Sequence, residues 1–533
     1  MLRPFARKSI VTAAAAASVT ATVIAAAAAV AQTVTPPPGA YTTKGAWSFV
    51  SAPNLHPPKL RTDAPTLTSK LAPGYFLTAN FPNVAAGGAL TGQGGPLILD
   101  SKLQPVWVKP TPTSAVALDL KQQTFDGKPA LSWWEGVVSN TGAAASGSVF
   151  VVDQHYRQVA TLTGDLKDGW VISPHEVVIS GHDAWVTSYK TVPGVDLSAY
   201  GGSSAGTVYD FAVQEYDLRT GKLLYSWDAF NPGGTSNVPL SESETTAPAS
   251  AAVPWDAYHG NSIQLVGSHE FLVSMRNTWA GYLVDISTGR VVWTLGGKAS
   301  SYSVPAQAQF QWQHMIELLP TNEVTVYDDH CCGLVGPGKF APPTGPSRGL
   351  VLKLNAAGRT ASLVAQYRHA PTLDSAFTGS MQLLPNGNAL VGWGSQPYFS
   401  QYSKSGKLLL NAIWPGVDLS YRVLLTQNWV GTPYFPPSGA ARKAGGRTTV
   451  YASWDGATEP VSWTVLAAAN AKHLALVATQ LKSGFETAIK LPRGSYKVFQ
   501  VRALNANGRV LGSSKRFGVP SAGSKPGGLP QAY

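Results

Sequence analysis

The sequence predicts an all-β protein in which six four-stranded sheets form a six-bladed β-propeller, followed by a small C-terminal β-sandwich. One β-hairpin pattern recurs six times, as expected when the same structural unit is repeated around an axis. Glycine (53 residues), proline (39 residues) and aromatic side chains (10%) are abundant, which is typical of many short strands joined by tight turns. The repeated region carries no helical periodicity of comparable length.

The N-terminal segment has the pattern of a secretory signal peptide. Three basic residues among the first eight precede an apolar run, and Ala29-Val30-Ala31 supplies a small-x-small cleavage site. We therefore expect cleavage after Ala31, so that residues 1–31 are lost and the mature protein is secreted, periplasmic or held at the cell surface. An uncleaved membrane anchor is the alternative. Because no later stretch approaches the roughly 20 apolar residues of a membrane span, we expect no span after signal removal.

Residues 32–75 are rich in proline and polar side chains and form a lead-in, and residues 76–440 contain the predicted propeller. In this range a strand–turn–strand pattern places a turn-forming polar residue ahead of a glycine between two apolar runs. Glycine supplies positive φ and Asp or Asn bonds its own backbone, so each copy predicts a tight hairpin. Copies lie about 50 to 70 residues apart, enough for the four strands of one blade. The turn residues are Asp100, Asp153, Asp217, Asp285, Asn355 and Ser403.

The composition changes at Pro436-Pro437, where the propeller is expected to end. Residues 447–519 then show several short alternating strands, the size and pattern of a β-sandwich similar to a fibronectin type III module. Residues 520–533 are rich in glycine, serine and proline and are expected to form a disordered tail.

The charge distribution excludes one class of partner and favours another. The formal net charge is +11, but the basic residues are scattered, so we expect no nucleic-acid interface. A modest positive field favours small anionic substrates. The sequence specifies no oligomeric state.

The two cysteines are neighbours, Cys331 and Cys332, and the chain has no others. This excludes a zinc site built on spaced cysteines. In an oxidising compartment the pair can close a vicinal disulfide, and two free thiols are the alternative. The preceding Asp328-Asp329-His330 segment has two interpretations: its histidine reaches the funnel of the propeller, or it joins the aspartates in binding a cation.

Three histidines occupy matching positions in the repeated units. His175, His259 and His314 are each followed by an alternating apolar run, a polar turn and a second run. Units arranged around an axis bring such residues to a common centre. Three imidazoles at one pocket indicate catalysis, and a structural hydrogen-bond cluster or buried core histidines are the alternatives. Four other histidines are expected to be solvated: His182, His269, His369 and His473.

Several short motifs, taken in order, resemble the arylsulfotransferase family, and in particular its branch with a C-terminal β-sandwich. They include PALSWWEG, HGNSI, SMRNT, FQWQH, LLPNGNALVGWG and ASWDGATEPVSW. Each motif is weak alone, but their order and spacing are fairly specific. The family comprises exported propeller enzymes that move sulfate between phenols without an activated nucleotide. Trp133 and Trp134 of the first motif either stack on an aromatic acceptor or, as is more usual inside blades, belong to the core.

The resemblance implies a set of site residues. Its histidine–histidine–arginine–histidine order falls on His175, His259, Arg276 and His314. It assigns His314 as the nucleophile that carries the sulfuryl group as sulfohistidine in a ping-pong transfer from an aryl sulfate to a phenol, independent of phosphoadenosine phosphosulfate. No cofactor and no metal are implied.

The chemistry of sulfuryl transfer gives these side chains specific tasks. Arg276 presents a planar cationic fork to the sulfuryl oxygens. His175 and His259 donate hydrogen bonds to the same oxygens or act as general acid. Asn261, two residues after His259 on the same strand, is expected to bind substrate. The alternative function is a non-catalytic exported propeller that binds ligands or partners at its funnel.

Overall fold

The computed structural model describes residues 41–63, 68–83, 89–139, 142, 145–163, 166–331, 334–336, 339–340, 343–470 and 473–519. The predicted signal peptide (1–31) and the predicted tail (520–533) lie outside the described residues. The described part is all-β, with a few three-residue 3-10 helices between the strands. None of its helices is long and apolar enough to cross a membrane.

The strands are numbered in chain order. Those of the first part of the chain are β1 (Tyr41–Thr42), β2 (Arg61–Thr62), β3 (Tyr75–Pro82), β4 (Leu90–Thr91), β5 (Gly95–Leu99), β6 (Pro105–Val108), β7 (Val116–Phe125), β8 (Lys128–Val138), β9 (Ala145–Asp153), β10 (Gln158–Leu162), β11 (Val171–Ser180), β12 (Asp183–Val195), β13 (Gly206–Asp217), β14 (Lys222–Asp228), β15 (Gly260–Val266), β16 (Glu270–Met275), β17 (Ala280–Asp285) and β18 (Val291–Gly296). The others are β19 (His314–Leu318), β20 (Glu323–Asp328), β21 (Leu334–Gly336), β22 (Lys339–Phe340), β23 (Arg348–Asn355), β24 (Thr360–Tyr367), β25 (Ser380–Leu383), β26 (Ala389–Gly392), β27 (Tyr398–Tyr402), β28 (Leu408–Ile413), β29 (Asp418–Thr426), β30 (Ser438–Ala444), β31 (Arg447–Ser453), β32 (Ser462–Ala468), β33 (Ala475–Leu481), β34 (Glu486–Lys490), β35 (Val498–Leu504), β36 (Val510–Ser513) and β37 (Phe517–Gly518).

Antiparallel sheets follow one another along the described chain with the same internal order. The first is β29-β3-β5-β6, the second β7-β8-β9-β10, the third β11-β12-β13-β14, and the fourth β15-β16-β17-β18. The fifth is β19-β20-β23-β24, and the sixth is β25-β26-β27-β28 with β2 added outside β28. The six predicted hairpins all join the third and fourth strands of a sheet.

The turn residues of these hairpins act as the sequence predicts. Asp153 Oδ1 accepts the backbone N–H of Arg157 at 2.9 Å, and Asp285 Oδ1 accepts that of Thr288 at 2.8 Å. Asn355 Oδ1 binds the N–H of Gly358 in the same way. Local side-chain acceptors therefore satisfy the turn donors, and this fixes the register of each outer hairpin.

The sheets pack face to face in a closed series. Each consecutive pair shares an apolar cluster, such as Leu118, Trp134 and Val149 between the second and third sheets. The series returns to its start, because Leu410 and Phe399 of the sixth sheet pack on Phe76 of the first. The first strands also contact one another in turn, from β7 through β11, β15, β19 and β25 to β29, which contacts β7 again.

The first sheet is assembled from the two ends of this series. Strand β29 comes from the C-terminal end and pairs with β3, with Leu425 opposite Phe76. Residues 41–63 reinforce the junction, because β2 pairs with β28 and Phe49 packs against Phe485 with ring centroids 4.4 Å apart. Residues 41–63 of the lead-in are thus packed against the rest of the structure.

Two further sheets follow, β30-β31-β34 and β33-β32-β35-β36 with β37 on β35. They pack through a shared core that includes Val450, Trp463 and Phe499. Strand β30 begins at Ser438, upstream of the boundary expected at 447. The missed signal is Gly445-Gly446, whose φ values of 55° and 73° form the two-residue turn between β30 and β31.

We predict that Leu97→Ala lowers the free energy of unfolding by about 2 to 5 kcal/mol, because Leu97 is fully buried between the sixth and first sheets. Urea titration followed by tryptophan fluorescence measures the change. Leu224→Ala is the matched control, since Leu224 is 47% exposed on β14, and it should change stability by less than about 0.5 kcal/mol. Equal effects of the two substitutions would contradict the packing described.

Candidate functional site

The three histidines and the arginine lie at the centre of the closed series. His175 lies in β11, His259 directly precedes β15, Arg276 directly follows β16, and His314 begins β19. The ring centroids of His175 and His259 are 5.0 Å apart. Tyr421 of β29 contacts both His175 (5.9 Å) and His314 (6.4 Å). Residues far apart in sequence thus form one cluster.

Irregular backbone aims these side chains. The pairing register shifts between Ile172 and Val177 around His175, between Gly260 and Ser262 after His259, and between His314 and Ile316. Such bulges redirect side chains and are frequent beside active sites. His259 itself has φ of 52°, an uncommon conformation for a residue with a side chain.

Gly260 of the HGNSI motif has a steric reason. A Cβ at this position would lie 2.0 Å from the Phe211 ring of the third sheet. The missing side chain allows β15 to approach that sheet closely, and this brings His259 next to His175.

His314 is held at both ring nitrogens. Its Nδ1 lies 2.6 Å from Oδ2 of the buried Asp329, and its Nε2 accepts the backbone N–H of Thr378 at 3.2 Å. An accepting Nε2 requires a neutral ring with the proton on Nδ1, donated to the carboxylate. Burial, followed by the charge of Arg276, holds the pKa of His314 well below its usual value. Burial raises the pKa of Asp329 well above its usual range, and the positive charge of Arg276 acts against this shift and favours the carboxylate.

The Nδ1 atom of His175 is bound by a serine hydroxyl and not by a carboxylate. This atom lies 2.5 Å from Ser173 Oγ, and both residues are buried. Burial, followed by His259 and Arg422, holds the pKa of His175 well below its usual value. This ring is therefore neutral near pH 7.

His259 has a carboxylate partner close in sequence. Asp256 Oδ2 lies 2.5 Å from His259 Nδ1, and Asp256 Oδ1 accepts the His259 backbone N–H at 3.1 Å. Gly142 lies against the other side of the ring, since a Cβ there would sit 3.6 Å from His259 Cε1.

Arg276 supplies a buried cation. Its Nη2 donates to the Ala376 carbonyl at 2.8 Å, and its guanidinium lies 5.1 Å from the centroid of the Trp312 ring. Burial lowers its pKa, and the charges of Asp329 and Asp256 oppose that shift. Its Nε has no hydrogen-bond partner among the described residues. An anionic ligand can satisfy a buried donor of this kind.

Asn261 is fully buried and joins two sheets. Its Nδ2 donates to the Gln313 carbonyl at 2.7 Å, directly before His314. Its Oδ1 has no partner among the described residues. The side chain therefore positions the segment that carries His314.

A buried ionic network lies under the cluster. Arg422 Nη1 binds Asp119 and Glu176, each at 2.8 Å, and Lys121 pairs with the same two carboxylates. Arg422 Nη2 donates to the Asn261 carbonyl at 2.7 Å. These residues belong to β7, β11, β15 and β29, so the network connects four first strands at the centre.

Protein groups bind much of the Asp328-Asp329-His330 segment, for which a cation site was one of two interpretations. Asp328 accepts hydrogen bonds from Arg348 Nε at 2.9 Å and from His330 Nδ1 at 3.0 Å, and Asp329 is bound to His314. Protein donors therefore occupy both oxygens of Asp328 and Oδ2 of Asp329. Cys331 is buried and disulfide-bonded, and Cys332 lies outside the described residues.

Two expectations about other residues have different outcomes. Trp133 and Trp134 are buried at 2% and 0% exposure, so both belong to the core and neither stacks on an acceptor. His369 is not solvated as predicted: it is 5% exposed and packs 4.6 Å from Tyr398 and 5.6 Å from Trp393. The alternating pattern around it does not reveal this aromatic packing.

The residues that bind Nδ1 of the three histidines were not predicted from the sequence. They are Ser173, Asp256 and Asp329, and the first two lie within three residues of the histidine they bind. An acidic residue three positions before a candidate histidine is a signal that could have been used. Tyr421 and Arg422 were also missed, because nothing in the local sequence indicates that β29 reaches the centre.

The fold and site define an all-β protein with a buried imidazole–carboxylate–guanidinium cluster, and comparison gives its family. The family model described as Arylsulfotransferase (ASST) matches residues 121–414, which are more than half of the chain. The chain belongs to the arylsulfotransferase family. No curated protein matches it.

Similar solved structures are distant. A protein of unknown function from Bacteroides caccae is 11% identical, with 66% of this chain and 98% of that chain covered and a TM-score of 0.37. Hydrazine synthase of Kuenenia stuttgartiensis is 13% identical over 59% and 72%, with a TM-score of 0.29. A Dos1 propeller is 10% identical over 82% and 92%, with a TM-score of 0.28. These similarities assign no activity.

We predict that His175→Gln reduces the loss of stability on acidification. The pKa of His175 is lowered in the folded state, so its contribution to stability is complete above about pH 6.5 and is lost as the pH falls and the unfolded chain takes up the proton. The variant should remove about half of 1.4 kcal/mol per pH unit from the slope at pH 6.5, rising toward about 1.4 kcal/mol per pH unit near pH 5.5.

Urea unfolding at a series of pH values between about 8 and about 5 measures this slope. The exposed His269 provides the control substitution His269→Gln, which should leave the slope as in the wild type. An unchanged slope in His175→Gln would show that the buried ring takes up a proton in the folded state.

Proposed function

We propose that this protein is an aryl sulfotransferase that moves a sulfuryl group from an aryl sulfate to a phenol through a sulfohistidine on His314. The observation that carries the proposal is the arrangement of His314: a neutral imidazole, bound through Nδ1 to buried Asp329 and placed in one cluster with Arg276. Family membership supports the reaction class. No nucleotide donor, cofactor or metal takes part in this scheme.

The same proposal covers the architecture. The six consecutive sheets are the blades of a six-bladed β-propeller, and the sheets from β30 onward form a C-terminal sandwich similar to a fibronectin type III module. The apolar clusters that return from the sixth sheet to the first support this arrangement. We further propose export, on the basis of the signal-like pattern of residues 1–31.

In the first half-reaction, Nε2 of His314 attacks the sulfur of the donor. A nitrogen–sulfur bond forms, the bond from sulfur to the aryl oxygen breaks, and its electron pair leaves on the phenolate. The ring becomes cationic as it attacks, and the Asp329 carboxylate at Nδ1 stabilises that charge. Arg276 stabilises the charge on the transferring oxygens, as cations do in phosphoryl transfer.

In the second half-reaction, an acceptor phenol gives its proton to a second histidine of the cluster, and its oxygen attacks the sulfur. The nitrogen–sulfur bond breaks and its electron pair returns to His314 Nε2, which regenerates the enzyme. The backbone N–H of Thr378 lies against Nε2 in the free site. The N–H must move off this lone pair before attack and can bind it again afterwards.

We predict that His314→Asn abolishes turnover of 4-nitrophenyl sulfate with a phenol acceptor, because no ring nitrogen is left to carry the group. Intact-protein mass spectrometry after incubation with donor alone should show one added sulfuryl group on the wild type and none on the variant. His473→Asn, an exposed histidine outside the six sheets, is the control and should retain both signals.

Two outcomes would contradict this assignment. An adduct on a different histidine peptide would refute His314 as the nucleophile. If the wild type shows neither turnover nor adduct across a broad panel of aryl sulfates, a ligand-binding propeller without catalysis becomes the better account.

We predict that Arg276→Lys lowers kcat by about 10²- to 10³-fold and changes KM less, because an ammonium retains the charge but not the planar fork of donors. Steady-state kinetics with 4-nitrophenyl sulfate measure both constants. The exposed Arg219 gives the control Arg219→Lys. A variant with wild-type kcat would show that the guanidinium does not contact the transferring group.

A further inference from the structure

The three histidines are suited to different tasks by the residues that bind their Nδ1 atoms. His175 is paired with a hydroxyl, whereas His259 and His314 are each paired with a carboxylate. A carboxylate at Nδ1 stabilises an imidazolium, and a serine hydroxyl does so much less. His259 and His314 therefore each have a partner that stabilises a positive charge formed during a reaction, and His175 does not.

His314 is already committed on both sides. Asp329 binds Nδ1, and in the proposed function Nε2 forms the bond to sulfur. It cannot also deliver a proton to the departing phenolate. His259 is therefore the remaining carboxylate-paired ring in the cluster.

Asp256 binds both the ring and the backbone of His259. One carboxylate oxygen binds Nδ1 at 2.5 Å and the other binds the backbone N–H of the same residue at 3.1 Å. Asp256 is in turn fixed, because its backbone carbonyl accepts Asn277 Nδ2 at 2.7 Å. The Asp256 carboxylate thus binds the backbone N–H of a residue that has a positive φ.

His259 is also the most accessible of the three rings. Its exposed fraction is 8%, compared with 5% for His175 and 1% for His314, and Asp256 is 14% exposed at its side chain. His259 is therefore the ring of the three that exchanges a proton with a bound phenol most easily. With Nδ1 on the carboxylate, Nε2 is the atom left for proton exchange.

We infer that His259, held by Asp256, is the proton-transfer group of the reaction, and that His175 only donates a hydrogen bond through its neutral ring. This inference rests on the proposed function. In the first half-reaction, Nε2–H of the His259 imidazolium gives its proton to the leaving phenolate oxygen, and phenol departs. In the second, the acceptor phenol returns a proton to Nε2 as its oxygen attacks sulfur, so the proton balance closes over one turnover. Asp256 is a positioning residue that stabilises the cation.

The test compares two donors that differ in their need for a proton. Nitrophenolate leaves readily without protonation, whereas the more basic phenolate of phenyl sulfate depends on a general acid. In Asp256→Asn, kcat/KM for phenyl sulfate should fall by about 10²- to 10⁴-fold, and that for 4-nitrophenyl sulfate by about tenfold or less. A merely structural defect would lower both values by the same factor.

Ser173→Ala is the matched control, because it removes the partner of His175 without touching a carboxylate. It should lower kcat/KM for the two donors by the same factor. His259→Gln is a second variant at the ring itself and should show the same donor dependence as Asp256→Asn. Thermal unfolding midpoints show whether each variant is folded, and a folded variant of either kind suffices for the comparison.

The outcomes separate the two proposals. In one outcome, the wild type transfers sulfuryl groups while kcat/KM for both donors falls by the same factor in Asp256→Asn and His259→Gln. In that case the proton-transfer role is overturned and the proposed function stands. If donor dependence appears in Ser173→Ala instead, His175 is the acid. A wild type that uses neither donor contradicts the proposed function itself.

Discussion

The pairing of β29 with β3 is the constraint on which the rest of the structure depends. It joins the C-terminal end of the six-sheet series to its N-terminal end, with Leu425 opposite Phe76. Without this strand the first sheet lacks its innermost strand. The apolar cluster between the sixth and first sheets also loses Val423 and Leu425. The same strand places Tyr421 and Arg422 at the centre, where they bind the backbone of His175 and Asn261. The strand that closes the fold therefore also contributes residues to the cluster.

The cluster is a buried site in which charge is balanced by specific pairs. Arg422 compensates Asp119 and Glu176, while Arg276 faces the Asp329 and Asp256 carboxylates that hold two of the histidines. Burial of unpaired charges would be strongly destabilising, so the pairs allow titratable groups to occupy a dry centre. In that environment His314 is neutral, as the proposed attack through a ring nitrogen requires, and nearby dipoles and charges act with little screening by water.

Local features of the sequence were sufficient for the hairpins and insufficient for what joins them. Asp153 and Asp285 bind backbone donors within a few residues, so their turns can be predicted from spacing. The β29–β3 pair spans most of the chain, and no local pattern encodes it. The histidine positions followed from the repeat, but the Asp329 partner of His314 depends on a bulged hairpin that brings residues fifteen positions apart together. His369 was wrongly expected in solvent because its aromatic neighbours come from the next sheet.

In the proposed reaction, one buried imidazole carries the sulfuryl group between two phenols. The most direct test is rapid mixing of the wild-type protein with excess 4-nitrophenyl sulfate in the absence of any acceptor. We expect a fast burst of about one nitrophenolate per protein molecule, followed by a much slower phase that reports hydrolysis of the intermediate. Release of nitrophenolate only when an acceptor is present, without a burst, would contradict a covalent intermediate and require direct transfer between the two phenols.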